Sequence, residues 1–281
     1  MTILKIDNDK EYDEKTLKHL QKVELEMLKD FIDICNEHEL YYAIHTGTAL
    51  GAVRHGGFIP WDDEIDVIMP REDYENFLKL FKNGNEKYYL CNWHTDLNVD
   101  DKYYTPKTLF CLKNTDISYP YANWGIYIDI TVLDNIPHEK NKRRVFIKKI
   151  HYLYYLNWMM GFIKSDIYPS KRKETIGHCI RFLCNLLHFN PSNLISKIFT
   201  KSIKKYYKKT NCILDMSLIY EKPMHKKYFD ELIKIKFEDI NVNIPKEYDY
   251  ILKSFYGDYM KLPPKEERRT HCWGSVDFGK Y

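Results

Sequence analysis

No apolar run in this chain approaches the length needed to cross a membrane, and none reads as a transmembrane helix. The seven cysteines, at positions 35, 91, 111, 179, 184, 212 and 272, include no Cys-x-x-Cys pair. An odd count without metal-ligand spacing argues against a disulfide framework and reads as reduced thiols of a cytosolic protein. An excess of one charge is also missing: 43 Lys and Arg stand against 40 Asp and Glu, a net charge of +3. With that balance, and no helix-turn-helix or zinc-finger signature, no nucleic-acid partner is expected. The opening MTILKIDNDKEYDEK lacks the order of a secretory signal, and the expected setting is cytoplasmic. No internal repeat is visible. What the 281 residues do contain is a hydrophobic fraction of 44% and 24 Tyr, enough to bury a substantial core in one large domain or two small ones.

The most informative stretch is Tyr42 to Tyr74, YAIHTGTALGAVRHGGFIPWDDEIDVIMPREDY. Tyr41–Thr46 reads as a short strand, Gly47 as a turn of positive φ, and Ala49–Arg54 as a short helix ended by His55-Gly56-Gly57. A second strand is expected from Trp61 to Pro70. Period two along it puts Asp62, Glu64 and Asp66 on one face and Ile65, Val67 and Met69 on the other. Three acids so close disfavour one another's ionisation, and a divalent cation is the usual remedy. The Gly47-Thr48 N–H groups, at a helix start, are placed to hold a phosphate. Mg²⁺ prefers one or two carboxylates completed by waters and substrate phosphates. These residues therefore point to metal-assisted chemistry on a phosphate ester, with a solvated acidic loop as the competing reading.

The run HTGTALGAVRHGGFIPWDDEIDVIMPREDY resembles the signature of the LicD family of phosphotransferases, a branch of the nucleotidyltransferase-fold superfamily. The resemblance implies transfer of phosphocholine, or a related phosphoalditol, from a CDP-linked donor to a glycan. It implies a Gly-Thr turn at Gly47-Thr48, acids at Glu64 and Asp66 and a third acid on a later strand. Glu64 stands where the family more often has Asp, so either Asp62 or Glu64 would meet the metal. The third acid falls on Asp129 in YANWGIYIDITVLDNIP, where Ile126, Ile128 and Ile130 alternate with Tyr127, Asp129 and Thr131. An acid inside such a strand is costly unless bonded or metal-bound. The family role makes Asp129 a metal ligand and general base beside Asp66 and Glu64. Arg54 and His55 are expected to face donor phosphates, with a salt bridge to the acidic strand as the alternative for Arg54. Lys107 and Lys113, in a segment comparable to a basic one of the family, are further phosphate contacts, and His271 matches a C-terminal family His.

Elsewhere the pattern is structural. Leu17, Leu20, Val23, Met27, Phe31 and Ile34 recur at helical steps from Asp13 to His38, with Asp13 as N-cap and no assigned chemistry. Arg71–Phe81 reads as a helix, Lys87–Trp93 and Tyr104–Leu112 as strands, and Asp134 as a turn residue with Asn135 and Pro137. Between Lys140 and Thr210 stand 17 Lys and Arg against Asp166 and Glu174 alone. Helices are expected there at Lys140–Ile163, Lys171–Phe189 and Asn193–Lys209. Such a basic, aromatic surface suits an anionic or lipid-linked glycan acceptor and peripheral contact with an anionic leaflet. Phe229–Asn241 alternates like a strand and Pro245–Tyr256 reads as a helix.

The expected fold is α+β: a nucleotidyltransferase-like mixed sheet with flanking helices in residues 1–138, a basic helical subdomain in 139–225 and a C-terminal segment, 226–281, packing back on the core. The expected cofactor is Mg²⁺ or Mn²⁺ on Asp62, Glu64, Asp66 and Asp129, and the expected donor is CDP-choline or another CDP-linked compound. Two other activities compete with this reading: transfer of NMP to an acceptor, and a non-catalytic membrane- or polymer-binding module.

Overall fold

The computed structural model describes residues 11–82, 84–92, 107–118, 123–161, 191–216, 222–270 and 274–281, with Thr175, Cys179, Phe182 and Leu186. The long first helix, α1, covers Glu14–Glu37, and Asp13 caps it by accepting the Thr16 N–H at 2.9 Å. Its apolar stripe lands in the core: Leu20, Met27 and Phe31 are buried, and the Phe31 ring meets those of Tyr42, Phe77 and Phe110.

The central sheet is assembled around β7 (Tyr127–Asn135). One edge of β7 pairs in parallel with β2 (Ile65–Pro70), which in turn pairs with the short β1 (Ala43–Ile44). The other edge is shared in tandem by β4 (Thr108–Leu112) and β8 (Cys212–Asp215), both antiparallel to it. Beyond them lie β3 (Tyr88–Cys91) on β4 and β9 (Met224–His225) on β8. The order β1-β2-β7-β4-β3 mixes parallel and antiparallel neighbours, an arrangement common in α+β folds. Alternation sorts the two central strands. Ile65, Val67 and Met69 of β2 and Ile128, Ile130 and Val132 of β7 enter the main core beneath α1. The other face carries Ile68 and Leu133 in a smaller cluster, and with them Asp66 and Asp129.

The helix α2 (Thr46–His55) joins β1 to the approach of β2, and α3 (Arg71–Leu80) follows β2 directly. Two strands expected to be longer are short. The chain is helical from Thr46, earlier than alternation suggested, and β2 begins only at Ile65, with Trp61 in a turn closed by the Asp62 N–H on the Ile59 carbonyl. Gly51 lies in the middle of α2, where alanine would ordinarily be preferred. A methyl group there would sit 2.5 Å from the Gly57 carbonyl oxygen and 3.1 Å from the Ile59 N, both backbone atoms unable to swing away. Gly51→Ala is therefore expected to destabilise the protein by about 1–3 kcal/mol in a denaturant titration, against the trend of helix propensity.

The basic stretch contains α4 (Lys140–Gly161) and α5 (Pro191–Lys204). Phe146 and Ile150 of the first and Phe199 and Ile203 of the second belong to the same core as the sheet, while the lysines ring the outside. Thr175, Cys179, Phe182 and Leu186 are helical and exposed; the rest of the expected Lys171–Phe189 helix lies outside the described residues. The single strand expected over Phe229–Asn241 is instead two: β10 (Leu232–Phe237) and β11 (Ile240–Pro245) form a hairpin that turns at Glu238-Asp239. An alternating pattern cannot distinguish one strand from two when the turn is only two residues long. The hairpin tip clamps the glycine loop, because Gly56 O accepts the Glu238 N–H and Glu238 Oε1 accepts the Phe58 N–H, each at 2.9 Å. The helix α6 (Tyr248–Tyr256) follows the hairpin, and β12 (Val276–Asp277) adds to a small sheet of β5 (Asp116–Ser118) and β6 (Asn123–Trp124). Among the described residues no helix is long and apolar enough to cross a membrane.

Candidate active site

The site forms where α2 starts beside β2. The backbone turns at Thr46, whose φ of 40° is unusual for a β-branched residue and costs about 1–3 kcal/mol unless its surroundings enforce it. The enforcement is local. The Thr46 hydroxyl hydrogen-bonds an Asp66 Oδ2 oxygen, and the His45 N–H donates to the Asp66 carbonyl at 3.0 Å. The Asp66 N–H in return donates to Thr48 Oγ at 2.8 Å, so buried Thr48 clips β2 to the helix start. The positive φ expected at Gly47 thus falls one residue earlier. Gly47 is needed for a different reason: a Cβ there would lie 2.8 Å from Oδ2 of buried Asp62. Two carboxylates, Asp62 and Asp66, accordingly flank the first turn of α2, where the helix dipole favours negative charge.

Parallel register sets Asp66 directly opposite Asp129. Both are buried, and the Lys107 ammonium lies between them, bonded to Asp129 Oδ2 and 3.7 Å from Asp66 Oδ1. Burial pushes the Asp129 carboxyl up from 3.8 to about 6, with Lys107 opposing the rise and Asp66 adding to it. Buried Asp129 Oδ1 has no hydrogen-bond partner among the described residues. A second buried pair supports the floor: His45 Nε2 lies 2.9 Å from Asp215 Oδ2, and its ring meets Phe255 edge-on.

Several contributors escape a reading along the chain. Glu24 of α1 is buried, its Oε2 has no hydrogen-bond partner among the described residues, and its carboxyl is raised well above the usual range by burial and by Asp63, Asp62, Glu64 and Asp66. Gln21, one turn earlier, donates to the Asp62 carbonyl at 2.8 Å. The signal for both is that polar residues interrupt the buried face of α1. Tyr154 of α4, raised chiefly by burial, feels both Lys107 and Asp129. Asp215 and Tyr154 carried no local motif.

The other expected residues are dispersed. Glu64 is half-buried in the approach to β2, close enough to Glu24 to raise its carboxyl. Lys113 gives its ammonium to the Asn85 carbonyl at 2.6 Å, beyond the end of β4. Arg54 and His55 close α2 at the end opposite the acids; among the described residues Arg54 makes no salt bridge to the acidic strand and donates instead to the Tyr259 carbonyl at 2.9 Å. His271 lies outside the described residues. Among the described residues no three His, Cys, Asp or Glu side chains converge as a ligand set, so the four expected carboxylates are not gathered into one cluster. The Asp66–Asp129 pair on its own fits Mg²⁺, which asks for one or two carboxylates and fills its shell with water and phosphate oxygens; the unpartnered Asp129 Oδ1 is an available ligand atom.

Fold and site together define an α+β protein built around an in-register aspartate pair beside a helix start. Residues 39–182 match the family described as LicD/FKTN/FKRP, nucleotidyltransferase domain, and the chain belongs to that family. Over 262 residues it is 29% identical to the lipopolysaccharide cholinephosphotransferase LicD of Haemophilus influenzae, covering 91% of this chain and 96% of that protein. An uncharacterised protein of Rickettsia prowazekii is 29% identical over 112 residues, 40% of this chain and 39% of its own length. Another, of Rickettsia typhi, is 35% identical over 75 residues, 24% of each chain.

Proposed function

We propose that this protein transfers phosphocholine from a CDP-linked donor to a hydroxyl of a cell-surface glycan, releasing CMP. The phosphotransferase class and a lipopolysaccharide-type acceptor rest on family membership and on similarity to a lipopolysaccharide cholinephosphotransferase along nine-tenths of the chain. The observation that carries the chemistry is the buried Asp66–Asp129 pair, in register beside the start of α2, with the Lys107 cation between them.

In this reading Asp66 and Asp129 hold Mg²⁺, which when bound neutralises charge on the donor diphosphate. Asp129 accepts the proton of the attacking hydroxyl, and burial makes its carboxyl a stronger base than an ordinary aspartate. The new bond joins the acceptor oxygen to the phosphorus bearing choline, the bond from that phosphorus to the CMP oxygen breaks, and CMP leaves with the electron pair. Lys107 supplies positive charge beside the carboxylates, where it can meet the phosphate oxygens. Displacement of this kind is mostly positioning and charge neutralisation and needs no nucleophilic Ser or Cys. The lysine-rich outer side of α4 and α5 suits an anionic glycan or the leaflet that bears it.

The test is CMP release from CDP-choline with Mg²⁺ and a lipopolysaccharide acceptor. Release that EDTA abolishes is the expected outcome. Pyrophosphate from CTP, with no CMP from any CDP donor, would replace the proposal with NMP transfer.

A further inference from the structure

The two ends of α2 carry opposite chemistry. Asp62 and Asp66 flank its first turn, while Arg54 closes its last, about 12 Å further along the axis. Around Arg54 the chain assembles a cationic cluster from distant segments. The Arg268 guanidinium lies over the Trp61 ring, 5.4 Å from its centre, and the His55 ring meets the same indole edge-on at 6.3 Å. Arg54 Nη1 is anchored to the Tyr259 carbonyl at 2.9 Å and Arg268 Nε to the Pro263 carbonyl at 3.0 Å. Both guanidiniums are half-buried, and among the described residues neither pairs with a carboxylate. They also repel: burial chiefly makes the Arg54 charge harder to keep, Tyr256 eases that, and Arg268 adds to it. Two fixed, partly desolvated guanidiniums without a counter-ion are costly unless an anion completes them, and the planar fork of arginine suits phosphate.

We propose that Arg54 and Arg268, with Trp61 beneath the latter, form a second anion subsite that holds a phosphate-bearing sugar of the acceptor. The assignment to the acceptor rests on the transfer reading above. A CDP donor has two phosphates, directly bonded through one oxygen, and both must lie near Asp66 and Asp129. Neither can also sit at the far end of α2, and the remaining parts of the donor are a neutral nucleoside and a cationic choline. An anion held there therefore belongs to the other substrate, whose sugar ring can rest against the indole.

The experiment uses the full chain and glucose 6-phosphate as probe, with glucose as the neutral control, by calorimetry. Glucose 6-phosphate is expected to bind at least about tenfold more tightly than glucose, and Arg268→Gln to weaken it about tenfold. Arg268→Lys, which keeps the charge without the fork, is expected to fall between. Arg269→Gln removes an equal charge from the exposed neighbour and is expected to change nothing. The affinity for CDP-choline with Mg²⁺ is expected to be the same in Arg268→Gln as in the unaltered protein. Equal binding of the two sugars, or equal loss at positions 268 and 269, overturns the subsite. CDP-choline affinity that falls with Arg268→Gln overturns its assignment to the acceptor. If no CDP donor yields CMP yet glucose 6-phosphate still binds through Arg268, the transfer reading fails and the anion subsite stands. Should Arg268→Gln unfold the protein, the lysine variant carries the same comparisons.

Discussion

Asp129→Asn is expected to lower CMP release from CDP-choline by about a thousandfold or more, while the protein still melts as one cooperative unit. The substitution keeps the side chain's shape but removes the only charged oxygens that face Asp66 across the β2–β7 register. It takes away the proton acceptor, worth about 10²–10⁴ by itself, and one of the two carboxylates that would hold Mg²⁺. Steady-state CMP release beside a thermal melt separates this from misfolding, and activity within tenfold of the unaltered protein would exclude Asp129 as the base. The pH dependence carries a second signature. Mg²⁺ held by Asp129 favours its carboxylate, so the wild-type rate is expected to rise with pH at a value below the metal-free one of about 6, and the residual rate of Asp129→Asn to lack that step. Stability runs the other way. Burial raises the folded carboxyl above its ordinary 3.8, so the folded chain keeps a proton that the unfolded chain has already released. The resulting stabilisation is fully present below about pH 4 and is lost as pH rises through 6. Denaturant titrations across that window, without divalent metal, are expected to show the decline in the wild type and less of it in Asp129→Asn.

How much of this was legible along the chain depends on whether cause and effect lie close together in it. The cap at Asp13, the stripe of α1, and the sorting of Ile65, Val67 and Met69 away from Asp66 follow from short-range periodicity, and the structure has them. Asp66 and Asp129 were also visible, because an acid within an apolar strand is conspicuous wherever it falls. What stayed hidden is set by contacts between distant residues. Gly47 looks like a turn glycine, yet its constraint is the Asp62 carboxylate pressed against it, while the turn itself is made by Thr46, held by Asp66. His45 finds its partner in Asp215, and Trp61 its cation in Arg268; neither spacing follows any local rule. Lys107 read as a phosphate contact because no local pattern says that its ammonium lies between the aspartates. Asp134 shows the same limit: a turn-forming Asp by its neighbours, it lies in β7 and is buried against an arginine.

That arginine is Arg71, and breaking its pair with Asp134 is expected to give a large loss of stability. Arg71 and Asp134 meet through two hydrogen bonds, with side chains 11% and 1% exposed. Burial works against the Arg71 charge, and the attraction of Asp134 more than offsets it, leaving the guanidinium more firmly protonated than usual. Removing one partner leaves the other buried and uncompensated, so Arg71→Met or Asp134→Leu alone is expected to cost about 3–5 kcal/mol in a denaturant titration. The double variant, in which both sites are apolar, is expected to recover most of that loss. Two single losses that simply added would refute the pairing argument. If an apolar pair would stabilise nearly as well, the reason for a charged one lies in where it sits. Pro70 pairs with Leu133 at the end of the parallel ladder that sets Asp66 against Asp129, and Arg71, the first residue of α3, reaches Asp134 just beyond that last pair. A slip of one residue between β2 and β7 would carry Asp66 away from Asp129 and turn the aspartates toward opposite faces. An apolar pair would tolerate that slip, whereas a bidentate ion pair does not. The double variant is therefore expected to fold with near-normal stability yet to release CMP more slowly than the wild type, and full activity in it would show that apolar packing alone holds the two strands in register.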